Sequence, residues 1–309
     1  MVKVKLILLL KLTSSSLASP HRPYAKRSLM TSATPTTNSL TSRPSASNST
    51  SSATAYAQSK RASPKKIPET DAIFDELTKI HKISAQDEGT LRISVDAKAT
   101  IKLGELSRGG KSRVVIKALD HDFVEATDKI HLLGFYLQEI SETYFFVLPN
   151  TPHLTADAIV DCLEKLWEDL RPRFPRINRL LINIDNGPES HSRRTQFIKR
   201  LVDFVDDAQL KLSLAYYPPY HSKYNPIERV WGVLEQHWNG SLLDSLDTVI
   251  EMAKTMTFKG LHPVVNVVNT VYQRGVSLTT KAMNALEQRL NCLKGLAKYF
   301  VTIPVADTT

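Results

Sequence analysis

Two runs of strand-forming residues, each ending on an aspartate, constrain this chain more than any other feature. Leu91-Arg92-Ile93-Ser94-Val95 alternates apolar and polar residues, the period of a half-buried strand, and runs into Asp96. Arg179-Leu180-Leu181-Ile182-Asn183-Ile184 is a nearly continuous apolar run, the pattern of a strand covered on both faces, and runs into Asp185. Ligands of open α/β sheets gather beyond the carboxyl ends of the strands. Two carboxylates brought together there repel each other unless a cation intervenes. Oxygen-only ligation suits Mg²⁺, with Mn²⁺ as a substitute.

The segments around these strands predict an α/β domain. Thr70 to Lys82 carries Ile73, Phe74, Leu77 and Ile80 at helical spacing. Short strands are expected at Ile101–Leu103 and, after the Gly109-Gly110 turn, at Val114–Ile116. Longer ones follow at Ile130–Leu137 and Thr143–Leu148. Thr155 to Leu170 reads as an amphipathic helix, and so does Ser192 to Val205, with a strand at Leu212–Tyr216 after it. Asn225 to Trp238 reads as a helix, and three more helices are expected near 243–256, 262–274 and 278–295. Several antiparallel-type strands followed by helix, strand, helix, strand, helix resemble the order of an RNase H-like (retroviral-integrase-like) mixed sheet flanked by helices. The expected domain spans residues 67–295, with C-terminal helical segments and a tail over 296–309.

Such a site calls for a third carboxylate from another element. Glu228 is the candidate: 42 residues separate it from Asp185, room for one helix and one returning strand. Glu235, two turns further on, is the alternative acid. Each acid also has a purely structural reading. Asn225, Pro226 and Glu228 fit a capping box, with Glu228 at the third helical position. Asp185 before Asn186-Gly187-Pro188 fits an Asx-turn, and Asp96 fits a simple strand-end carboxylate.

The net charge of +9 suggests a nucleic-acid partner until its location is considered. Residues 1–68 hold 11 of the 40 basic residues and none of the 31 acidic ones, leaving the remainder at −2. Basicity is therefore a property of the tail, and any DNA surface on the domain must be local. The tail over residues 1–66 is rich in Ser, Thr and Pro and poor in large apolar residues, a composition that predicts disorder. It loosely imitates a signal or transit peptide, but Lys11 cuts its apolar run short, so a non-functional leader and a cytoplasmic, nucleoid-associated protein are expected. No apolar run is long enough to span a membrane. The two cysteines, Cys162 and Cys292, have neither metal-ligand spacing nor the look of a disulfide framework.

Longer motifs carry a resemblance. Asp185-Asn186-Gly187-Pro188-Glu189 and the stretch from Tyr216-Tyr217-Pro218-Pro219-Tyr220 through Asn225-Pro226-Ile227-Glu228 to Trp231 are similar to bacterial insertion-sequence DDE transposases. The similarity is to the ISAzo-type, or Rhodopirellula-type, transposase DDE domain. Ile93–Thr100, Ser107–Gly110, Arg194–Arg200 and Gly232–Gly240 extend it over roughly residues 65–295. The resemblance implies that Asp96, Asp185 and Glu228 are the catalytic, metal-binding triad, and that the glutamate of Asn-Pro-Ile-Glu is preferred over Glu235. It implies two Mg²⁺ ions, cleavage at DNA element ends, transfer of the freed 3′-hydroxyl to target DNA, and a homodimer. Longer members carry an N-terminal helix-turn-helix where this chain has its Ser/Thr-rich tail, so a truncated or frameshifted copy is expected. An inactive remnant and a related metal-dependent nuclease are the alternatives.

Local clusters add candidate DNA contacts: Arg108 and Lys111 at the Gly109-Gly110 turn, Arg193, Arg194, Lys199 and Arg200 after Asp185, and His221 and Lys223 before Glu228. A solvated helix face is the competing reading for the cluster after Asp185, and an ordinary charged hairpin for the turn. The tyrosines at 216, 217, 220 and 224 can stack unpaired bases or pack their loop on the core. Trp231 and Trp238 share one helical stripe and read as core.

Overall fold

A computed structural model describes residues 66–111, 117–119 and 128–306, all within the compact unit Arg61–Thr309. The tail over 1–65 and the expected strand at Val114–Ile116 lie outside the described residues.

The strands are β1 (Thr90–Ala97), β2 (Ile101–Lys102), β3 (Lys129–Leu137), β4 (Glu142–Leu148), β5 (Arg179–Ile184), β6 (Lys211–Tyr216), β7 (Val264–Val267), β8 (Asn291–Cys292) and β9 (Phe300–Ile303). The helices are α1 (Thr70–Gln86), α2 (Ala156–Leu170), α3 (Thr195–Ala208), α4 (Ile227–His237), α5 (Leu246–Thr255) and α6 (Thr280–Glu287). One mixed sheet runs β7-β4-β3-β1-β5-β6-β9-β8, with β2 attached to β3. β1, β3 and β4 pair antiparallel, while β1, β5 and β6 are parallel neighbours joined through α2 and α3.

Side chains alternate across a strand, so each central strand serves two faces. Leu91, Ile93 and Val95 of β1, Leu180, Ile182 and Ile184 of β5, and Leu212, Leu214 and Tyr216 of β6 turn to one side, where α2 and α3 cover them. Thr155 caps α2 by accepting from the Ala158 N–H at 3.2 Å. The opposite side is covered in two patches. Ile227, Val230, Trp231 and Leu234 of α4 and Val249 and Ala253 of α5 lie over β3 and β4. Ile73 and Leu77 of α1 lie over Leu181 and Ala215. Arg92, Ser94 and Asn183 lie on this side too, by the same alternation.

The C-terminal part departs from the sequence expectation. Residues 262–274 were expected as a helix, and Leu261, Val264, Val265, Val268, Val271 and Tyr272 do recur at helical spacing. The β-branched run Val264-Val265-Asn266-Val267 instead forms β7, parallel to β4, because a pleated edge seats branched side chains better than a helix does. The helix expected over 278–295 is α6 alone, after which the chain turns into β8 and β9. β9 pairs antiparallel with β6, and Ile303 is fully buried in the main core. Residues 296–306 therefore belong to the domain rather than to a tail. Truncating a fully buried isoleucine costs about 2–5 kcal/mol, so Ile303→Ala should lower the urea midpoint markedly. An unchanged midpoint would return this segment to the status of a tail.

Candidate active site

Asp96 is the penultimate residue of β1, and Asp185 follows the last residue of β5. The parallel register pairs Val95 with Ile184, so the next residue of each strand, Asp96 and Asp185, stand level on adjacent strands. Both fall on the face not covered by α2 and α3. Glu228, the second residue of α4, comes from across that face.

Neither the capping box nor the Asx-turn is realised. Asn225 does not cap α4: the N-cap is Pro226, and no side chain caps the helix. Its buried carboxamide Nδ2 donates to the Val95 carbonyl at 3.0 Å, tying the chain before Glu228 to the strand end beside Asp96. At Asp185 the turn is closed by main chain: its carbonyl accepts from the Gly187 N–H at 2.8 Å and from the Ser190 hydroxyl at 3.1 Å. Asp185 Oδ1 is left buried with no hydrogen-bond partner.

The electrostatics follow from this crowding. Burial, then the charge of Asp185, then that of Glu228 push the Asp96 carboxyl up to about 7, against a hydrogen bond from the Trp231 indole N–H at 2.9 Å. Burial and then the charge of Glu228 push Asp185 up to about 6, with a hydrogen bond from Asn225 opposing. Three acids from β1, β5 and α4 thus lie within one another's field. Among the described residues no three His, Cys, Asp or Glu side chains are close enough to form a ready-made cage. The donor set is nonetheless what a hard divalent cation needs: carboxylate oxygens only, one buried and unpartnered, on acids whose mutual repulsion a cation would relieve.

Glu235 is engaged elsewhere. It pairs with Lys98 at 2.6 Å and accepts from the Trp238 indole at 2.7 Å. Burial works to raise its pKa, but these hydrogen bonds outweigh it and hold the carboxyl below its ordinary value. Behind the acids, the Asn183 amide lies 2.9 Å from His81 Nε2, and Gln138 donates to the Ser94 hydroxyl at 2.7 Å. Burial, with the Arg92 charge, lowers His81 to about 4, so its ring is neutral at physiological pH and accepts from Asn183.

The basic candidates separate into two groups. Arg200 bonds to Asp157, Asp161 and Glu164 of α2 at 2.7–3.0 Å, so it locks α2 to α3. That corrects the expectation that it reaches phosphate, because a guanidinium already holding three carboxylates has its charge met within the fold. His221 is likewise withdrawn: it is buried, with Nδ1 2.8 Å from the Pro219 carbonyl and its ring edge-on to Phe74. Arg108 stacks 5.5 Å over the Trp238 ring and donates to the Lys102 carbonyl, which fastens its turn to α4. Arg194 pairs with Glu189 at 3.1 Å, and Lys199 with Asp203 at 2.5 Å. Lys111, Arg193 and Lys223 are exposed, the last 5.2 Å over the Tyr224 ring. Sequence reasoning missed the roles of Asn225 and Trp231. Both lie inside the Tyr216–Trp231 stretch, and the three-residue spacing of Trp231 from Glu228 is the only signal that those two share a face.

The strand order and the two strand-end aspartates facing a helix-borne glutamate define an RNase H-like domain. The Rhodopirellula transposase DDE domain matches residues 50–304, and the chain belongs to that family. Among solved structures, the Mos1 transposase paired-end complex with left transposon end is similar over 63% of this chain and 56% of that one, at 17% identity and TM-score 0.45. The catalytic domain of Mos1 mariner transposase is similar over 62% and 82%, at 16% identity and TM-score 0.41. The human cytomegalovirus terminase nuclease domain is similar over 68% and 78%, at 9% identity and TM-score 0.23. The similarity thus spans little more than half of the transposase in the paired-end complex. No curated protein matches the chain.

The raised carboxyls carry a pH consequence. A group whose folded pKa lies above its unfolded value stabilises the fold below the unfolded pKa and loses that contribution as pH rises through the folded one. In chelator, stability should therefore fall from about pH 4 to about pH 7, the span from ordinary carboxyls to Asp96. Asp96→Asn should flatten that fall and raise the melting temperature at pH 8 by roughly 2–8 °C, if the relieved repulsion is about 1–2 kcal/mol. Parallel melting curves for the two proteins would sink the idea.

Proposed function

We propose that this chain is the catalytic domain of a DDE transposase that cuts DNA phosphodiesters and joins the freed 3′-hydroxyl to target DNA. The observation that carries this reading is the convergence of Asp96, Asp185 and Glu228 in one field, with a buried, unpartnered oxygen on Asp185. We propose that the three hold divalent cations, Mg²⁺ or Mn²⁺, two as in other phosphoryl-transfer sites. When bound, such ions supply Lewis-acid activation of the attacking oxygen and charge neutralisation at the leaving one.

The remaining work falls to the chain itself. Asp96 and Asp185 enter partly protonated near neutral pH, so cation binding releases protons and tightens as pH rises through about 6–7. The 216–226 segment, held by the Asn225 bond, sets the entry of α4 and with it the place of Glu228. Lys111, Arg193 and Lys223 are the exposed cations we assign to the DNA backbone, since phosphate contacts position a duplex without reading sequence. The paired Arg194 and Lys199 can join them only by exchanging a carboxylate for a phosphate. We take the working unit to be a homodimer in the cytoplasm, acting on element ends and target DNA. Among the described residues no helix is long and apolar enough to cross a membrane.

An assay with Mg²⁺ and a 3′-hydroxyl end substrate separates the outcomes. Asp185→Ala and Glu228→Gln should each abolish nicking and joining, whereas Glu235→Gln should retain both at reduced stability. Nicking without joining would make the protein a nuclease. Equal nicking by wild type and Asp185→Ala would remove the catalytic reading altogether.

A further inference from the structure

Asp96 is held by a tryptophan whose own freedom has been removed on every side. The Trp231 indole N–H donates to Asp96 Oδ2 at 2.9 Å. Its ring stacks on Phe145, with centroids 5.0 Å apart and planes 16° from parallel. The third constraint comes from β3. The antiparallel register places Gly134 directly opposite Asp96. A Cβ on Gly134 would lie 2.5 Å from Trp231 Cη2 and 2.6 Å from Cζ2, closer than any real contact, and 2.8 Å from Ile227 Cδ1. The glycine's φ is not in the left-handed region, so what this position needs is the missing side chain rather than an unusual backbone. The indole fills the space that a side chain at 134 would take.

Trp231 also lies three residues after Glu228 on α4, on the same side of the helix. One rigid helix therefore carries one acid of the site and the donor that orients another. We infer that Trp231 is a positioning residue for metal binding: through its indole N–H it fixes the Asp96 carboxylate relative to Glu228, and Gly134 is the seat that lets it do so. This rests on the metal-binding reading of the acids above. Partners that orient a metal ligand typically contribute a factor of roughly 10–100 in metal affinity.

Trp231→Phe keeps an aromatic ring on Phe145 and over Gly134 but removes the donor. Calorimetric titration of the full chain with Mn²⁺ should show affinity reduced at least about tenfold, with circular dichroism unchanged. Asp96→Ala should abolish binding. A second measurement needs no variant at position 231. The chain has three tryptophans; Asp96→Ala should shift the indole N–H resonance of Trp231, with that of Trp167, on the other face, unmoved. Mn²⁺ affinity unchanged in Trp231→Phe, or an indole resonance indifferent to Asp96→Ala, would overturn the inference while leaving the metal site standing. A wild type that binds no Mn²⁺, or binds it as well after Asp185→Asn, would overturn the metal site and this inference with it.

Discussion

The hydrogen bond from Asn225 to the Val95 carbonyl is the tie on which the site's geometry depends. β1 and β5 set Asp96 and Asp185 level by the register that pairs Val95 with Ile184, and a one-residue slip would turn the apolar face outward. Glu228 has no such guarantee, because it arrives after a loop of prolines and tyrosines whose path no ladder dictates. The buried carboxamide supplies what is missing, since it reaches a main-chain acceptor one residue before Asp96. Breaking it would free the helix entry from the strand end, at about 1–3 kcal/mol for the lost bond.

The two faces of the sheet divide the work. The face under α2 and α3 is apolar from β4 to β6, and the ion-pair fan of Arg200 clamps its two helices together. The other face is covered by α4 and α5 over one half and by α1 over the other, and the strands beneath the gap carry the polar residues. Ser94 and Asn183 are fully buried there, yet each has a partner, Gln138 and His81. Their layer supports the acids from behind. The Asn183 amide meets His81 through its Nδ2, whereas the carboxylates above it are raised by burial first and by one another's charge second.

What was legible in the sequence follows the strength of the local signal. The strands ending on Asp96 and Asp185, and the helices α2, α3 and α4, announce themselves by periodicity over whole elements. β7 and β9 do not, because four-residue edge or near-edge strands draw their stability from a partner distant in sequence. The Val264–Val267 run reads as helix in sequence, and only pairing with β4, distant in sequence, makes it a strand. The basic residues were illegible for a similar reason. Arg193 and Arg200 look alike in sequence, and only the α2 carboxylates distinguish an exposed cation from a committed one.

The site was legible as three acids and not as a mechanism for holding them. Trp231 reads as core because a tryptophan on an apolar helical stripe nearly always is, and here it is core as well: it is buried and stacked on Phe145. Its second role becomes visible only through the pairing of Asp96 with Gly134, a glycine that nothing in its own neighbourhood of sequence singles out. Packing and polarity meet in the same side chain, so the core under β3 and β4 and the orientation of Asp96 cannot vary independently. A substitution that repacks Phe145 or fills Gly134 is therefore felt at the acid, even though neither residue carries a group that could touch a cation.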